Sequence, residues 1–78
     1  MPILDEISVC LQRGSVKEIN ILVPKALEDG IEPQTVLNDG LLSGMSVVGE
    51  KFKNNEIFIP EVMIAARAMK AGTDILRP

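Results

Sequence analysis

The sequence predicts an all-α fold, a four-helix bundle, on three observations. Apolar residues recur at three- and four-residue spacing along most of the chain. Gly14 and Gly30 fall where those patterns stop, and Pro33 and Pro60 stand where new ones begin. A length of 78 residues leaves room for one compact domain and not two, and no pair of alternating segments suggests a strand pairing.

The first helix runs from Pro2, with Ile3, Ile7, Cys10 and Leu11 on its apolar stripe and Asp5, Glu6, Gln12 and Arg13 elsewhere on the wheel, until Gly14 ends it. Cys10 lies on the stripe with no base beside it in sequence, so it reads as a small buried hydrophobe and not as a reactive thiol. The second helix opens on Ser15-Val16-Lys17-Glu18, a capping box in which the Ser hydroxyl accepts from an early backbone N–H and the Glu carboxylate returns to the cap's own N–H. Val16, Ile19, Val23, Ala26 and Leu27 form its buried stripe, and Gly30 closes it. Pro24 lies inside, removes one ladder hydrogen bond and predicts a kink.

The third helix starts at Glu32-Pro33 and carries Leu37, Leu41, Val48 and Phe52 at helical spacing. Gly40, Gly44 and Gly49 lie within it, each costing about 1 kcal/mol relative to Ala in an exposed helix interior. Gly40 and Gly44 are four apart and share a face, which would admit another backbone or a flat ligand at close range. Lys53-Asn54-Asn55-Glu56 is a polar break. Ile57-Phe58-Ile59 then reads as an extended lead-in, because Pro60 suits the first turn of a last helix and biases Ile59 away from the helical region. That last helix, with Val62, Met63, Ala65, Ala66, Ala68, Met69 and Gly72, ends at Leu76-Arg77-Pro78.

A bundle of this size has a thin core and needs a further source of stability. One cysteine forms no internal disulfide, and without His there is no zinc cluster, so regular helix packing and a covering partner remain. A net charge of −3 without a basic run argues against nucleic acid. The acidic start and the absence of a bilayer-length apolar run argue against a secretory signal and a membrane span, so the chain reads as cytoplasmic. No nucleophile and base pair, phosphate loop or dinucleotide fingerprint is present, and most of the acids fall on polar faces or caps. The chain has no catalytic residues and does not read as an enzyme.

One stretch is distinctive: Asp39-Gly40-Leu41-Leu42-Ser43-Gly44-Met45-Ser46-Val47-Val48-Gly49-Glu50-Lys51-Phe52, then Ile57-Phe58-Ile59-Pro60, continuing through Glu61-Val62-Met63 to Gly72 and Leu76-Arg77-Pro78. It resembles the helical cap module of the methyl-transferring corrinoid proteins, including those serving methanol and methylamine methyltransferases and the equivalent module of cobalamin-dependent methionine synthase. The resemblance covers essentially the whole chain. It implies a four-helix cap over the upper face of a corrinoid (cobalamin), with a separate α/β corrinoid-binding domain on the lower face and methyltransferase subunits as partners.

Carried over by motif position, the resemblance implies that Phe52 of the Val-Gly-x-x-Phe element, Ile59 of the Phe-Ile-Pro element and Val62 meet the ring and its methyl group. It implies that Asp39 accepts a hydrogen bond from a corrin amide side chain, with Met45 and Phe58 as secondary contacts. Spacing alone would instead place Phe52, Ile59 and Val62 in the core and Asp39 on a solvated face. Full-length members of that family bear an Asp-x-His-x-x-Gly motif whose His ligates cobalt from below, in an α/β domain that these 78 residues do not include. This sequence has no His, and so supplies no ligand to the metal. It is expected to be either a piece of such a protein or a cap acting in trans. A reading from a different class is a helical interaction module that buries its apolar face in a homodimer or a hetero-complex.

Overall fold

In a computed structural model, which describes residues 2–77, the chain is all-helical. Helix α1 is Pro2–Gln12 and α2 is Val16–Glu28. Helix α3 spans residues 33–53 in three parts: a turn Pro33–Thr35, a π-helical segment Val36–Leu42 and an α-helical segment Ser43–Lys53. Helix α4 is Ile59–Leu76. Helix α1 packs against α2 and along α3, and α4 packs chiefly against α2 and α3.

Three of the helix ends close in the same way. The Gly14 N–H donates to the Leu11 carbonyl (2.9 Å) and the Ser15 N–H to the Cys10 carbonyl (3.0 Å). Gly30 and Ile31 repeat this on Leu27 and Ala26, and Asn55 and Glu56 on Phe52 and Lys51. This paired closure needs a left-handed residue, and φ is 71° at Gly14, 88° at Gly30 and 61° at Asn55. The two glycine stops therefore stand where the sequence places them, and the polar break after Lys53 resolves into a third stop built on Asn.

Three local expectations are corrected. The capping box at the start of α2 is only half closed: the Ser15 hydroxyl accepts from the Glu18 N–H (3.4 Å), but the Glu18 carboxylate turns instead to Cys10 and Arg13. The reason is that the Ser15 N–H already belongs to the closure of α1. The reciprocal half appears at α4, where the Glu61 carboxylate accepts from the Phe58 N–H at 2.9 Å. The Glu61 and Val62 N–H groups in turn bond the Phe58 carbonyl, which draws Ile59 into the first turn despite the proline after it; only Phe58 is extended. Lastly, α3 is not a plain α-helix. It carries an i→i+5 segment at Val36–Leu42, across which the buried stripe of Leu41 and Val48 continues with Leu37 half-buried, while Phe52, four residues beyond Val48 at the end of the helix, lies outward. Helix α2 runs through Pro24 unbroken, with Asn20, whose carbonyl loses its ladder partner, on the exposed side. Arg77 leaves α4 in an extended conformation; Met1 and Pro78 lie outside the described residues.

The largest fully buried side chains are aliphatic: Ile7, Leu11, Ile19, Val23, Val36, Leu41 and Val48. Gly40 and Gly44 serve close packing on α1. A Cβ at Gly40 would come within 3.1 Å of Ile7 Cγ2, and one at Gly44 within 2.8 Å of the Ser8 carbonyl oxygen. At Gly44 the close visitor is the backbone of α1, and at Gly40 it is the Ile7 side chain. No helix among the described residues is long and apolar enough to cross a membrane.

Candidate functional site

The chain contains two aromatic residues, Phe52 and Phe58, and both are on the surface. Phe52 is 44% exposed at the end of α3, and Phe58 is 64% exposed as the cap of α4. Ile59 follows at 61%, and Met63, one turn further along α4, at 58%. Burying a side chain of this size is worth about 1.5–3 kcal/mol, so four of them left in water around one helix–helix turn form a surface that the fold itself does not use.

The local sequence positions this corner. The Asn55 closure stops α3 just beyond Phe52, and the Glu61 carboxylate on the Phe58 N–H holds the start of α4. Val62 and Met45 are half-buried and pack against the core, Met45 on the same side of α3 as Phe52 and Val62 one turn after Ile59. Five of the six candidate residues thus lie on the facing ends of α3 and α4 or the link between them: Phe52, Phe58 and Ile59 exposed, Met45 and Val62 half-buried.

Asp39 stands apart. It is exposed in the π-helical segment, at most about 20 Å up the helix from Phe52 at the usual rise per residue. Among the described residues no side chain hydrogen-bonds to it, so its oxygens are open to an outside donor. Sequence reasoning missed Met63 as a surface residue and missed Leu42, which is 44% exposed at the end of the π-helical segment. The signal for Met63 was its four-residue spacing from Ile59; the π turns conceal the one for Leu42.

A concavity lies elsewhere. An open groove of about 540 Å³ between α1 and α2 is lined by Val9, Cys10, Ile21 and Leu22 with Asp5, Glu6, Arg13 and Glu18, and none of the six candidate residues lines it. At its floor the Cys10 thiol donates to the Glu18 carboxylate at 2.7 Å, and the Arg13 guanidinium reaches the same carboxylate at 3.3 Å. Burial, followed by the hydrogen bond to Glu18, pushes the thiol above its ordinary pKa, so Cys10 is a structural thiol and not a nucleophile. Among the described residues no cluster of His, Cys, Asp and Glu could hold a metal ion.

The chain is similar to known proteins over nearly its whole length. The family model described as the B12 binding domain matches residues 3–77. Monomethylamine corrinoid protein 1 of Methanosarcina acetivorans is 34% identical over 76 residues, covering 97% of this chain and 35% of that protein. A corrinoid protein of Desulfitobacterium hafniense is 36% identical over all 78 residues, which make up 36% of its length. The solved structure of the Methanosarcina barkeri monomethylamine corrinoid protein superposes with a TM-score of 0.93 at 31% identity, covering 96% of this chain and 35% of that one. The chain thus spans about a third of the length of these relatives.

Proposed function

The chain belongs to the B12 binding domain family, and from that premise we propose that it is the helical cap of a corrinoid methyl-transfer system, closing over the upper face of the cofactor. The observation that carries this is the placement of both aromatic residues, with Ile59 and Met63, in one exposed apolar corner. The residues fit such a group: a corrin ring is broad and flat, and this corner offers apolar surface without a cavity.

When bound, the corrinoid supplies the cobalt on which a methyl group is carried. The chain's own part is exclusion and orientation. Phe52, Phe58, Ile59 and Met63 cover the ring and keep water off it, while Val62 and Met45 back them from the core. Asp39, further along α3, accepts from an amide arm at the ring's edge. The cap has no catalytic residue of its own. It swings aside as a rigid unit when a methyltransferase approaches, and the lower face is held by a separate α/β domain.

Photolysis tests this. Methylcobalamin held on a corrinoid-binding α/β domain is expected to photolyse more slowly when this chain is added, and the protection is expected to be lost with Phe52→Ala. Equal rates with and without the chain, or full protection by Phe52→Ala, would overturn the reading. So would sedimentation showing a tight dimer that hides Phe52 and Ile59 in the absence of corrinoid.

A further inference from the structure

The chain's six glycines divide by what holds them in place. Gly14 and Gly30 have positive φ and close helices. Gly40, Gly44 and Gly72 lie where a Cβ would press on a neighbour: Ile7, the Ser8 backbone and Leu41 Cδ1 (2.6 Å) respectively. Gly49 has neither reason. Its φ is not in the left-handed range, it is exposed, and a Cβ built on it would meet nothing within 4 Å. It nevertheless sits inside the α-helical segment Ser43–Lys53, where glycine is the poorest helix former after proline. Nothing within the chain accounts for it, so its reason lies outside the chain.

Its surroundings show what kind of reason. Leu42, Met45, Gly49 and Phe52 follow one another at intervals of three, four and three, and so form a single strip along the outer side of α3. Leu42 and Phe52 are each 44% exposed and Met45 is half-buried, so the strip is apolar and partly uncovered, and it ends at the link that leads to Phe58 and Ile59. The gap in it is one side chain wide. A glycine there lets the edge of a flat body lie down between Met45 and Phe52 until it touches the helix backbone.

We propose that Gly49 is a positioning residue, the point at which the edge of a flat ligand, the corrin macrocycle on the reading above, rests on the backbone of α3. This inference depends on that reading. Any side chain at position 49 holds the ring off the strip, so that Phe52 and Ile59 no longer close over it. The fold would be more stable with alanine, and the glycine is retained for the contact.

Two readouts on four variants test it. Gly49→Ala is expected to raise the melting temperature of the chain by about 4–8 °C, the shift a relieved helix-interior glycine gives in a domain of this size. In the methylcobalamin photolysis assay with the α/β domain, Gly49→Ala is expected to lose part of the protection and Gly49→Leu nearly all of it. Glu50→Ala, on the same helix but off the strip, is expected to keep it. A Gly49→Leu chain that protects as well as the parent, while Phe52→Ala does not, overturns the role of Gly49 and leaves the cap reading standing. A parent chain that gives no protection overturns both. A fall in melting temperature for Gly49→Ala also overturns the inference, since the glycine would then serve the fold.

Discussion

At the scale of single residues, burial decides which chemically capable groups stay inert. The Cys10 thiol is nearly sealed and donates to Glu18, and both effects raise its pKa. The sign follows from linkage: a group whose pKa is raised on folding contributes stability below its unfolded value and loses it as pH climbs through the folded one. The folded chain is therefore expected to lose stability in the alkaline range above the ordinary thiol pKa. Cys10→Ala should flatten that part of a pH series of thermal melts, and alkylation of native Cys10 at neutral pH should be slow. Gly44 offers the opposite contrast to Gly49. Its missing Cβ would lie 2.8 Å from the Ser8 carbonyl oxygen, a backbone atom that cannot step aside. Gly44→Ala is expected to destabilise by about 1–3 kcal/mol in denaturant titration.

The ends of the elements were largely legible, and their interiors less so. Gly14 and Gly30 announce themselves because few other residues tolerate a left-handed conformation. Asn55 does the same work less visibly, since asparagine is common in any polar loop. Asn55→Gly is expected to leave the melting temperature at or above that of the parent, whereas Asn55→Val should cost about 1–2 kcal/mol, the penalty of a branched side chain at positive φ. The shared Ser15 N–H shows why a local motif can mislead. A capping box assumes that the cap's donor is free, and here the preceding helix had already taken it. The π-helical segment left no sequence signal, because i→i+5 bonding is settled by how α3 must lie on α1 and not by the residues within it.

For the whole molecule, the division of labour is between an aliphatic interior and an aromatic corner. A domain of 78 residues has a stability of only about 4–12 kcal/mol by the usual per-residue range. Leu41 is fully buried and abuts Gly72, so Leu41→Ala, at about 2–5 kcal/mol, should remove much of that margin and show as a large drop in melting temperature. The double change Phe52→Ala with Phe58→Ala, by contrast, should lower the melting temperature less than Leu41→Ala alone, because Phe52 is 44% and Phe58 64% exposed whereas Leu41 is fully buried. A large loss on that double change would place the two rings in the service of the fold.

The sequence by itself determined the helical class, the positions of the four helices, the two glycine stops and the family resemblance. All of these rest on local periodicity, backbone conformational preference and ordered motifs, which a linear chain carries in full. Spacing alone would place Phe52 and Ile59 in the core, where they are not, and it could not say which of the glycines in α3 served packing. Those were decided by the tertiary structure. Burial is a property of what the neighbouring helices cover: α1 claims Gly40 and Gly44, and no helix claims Gly49, Phe52 or Phe58.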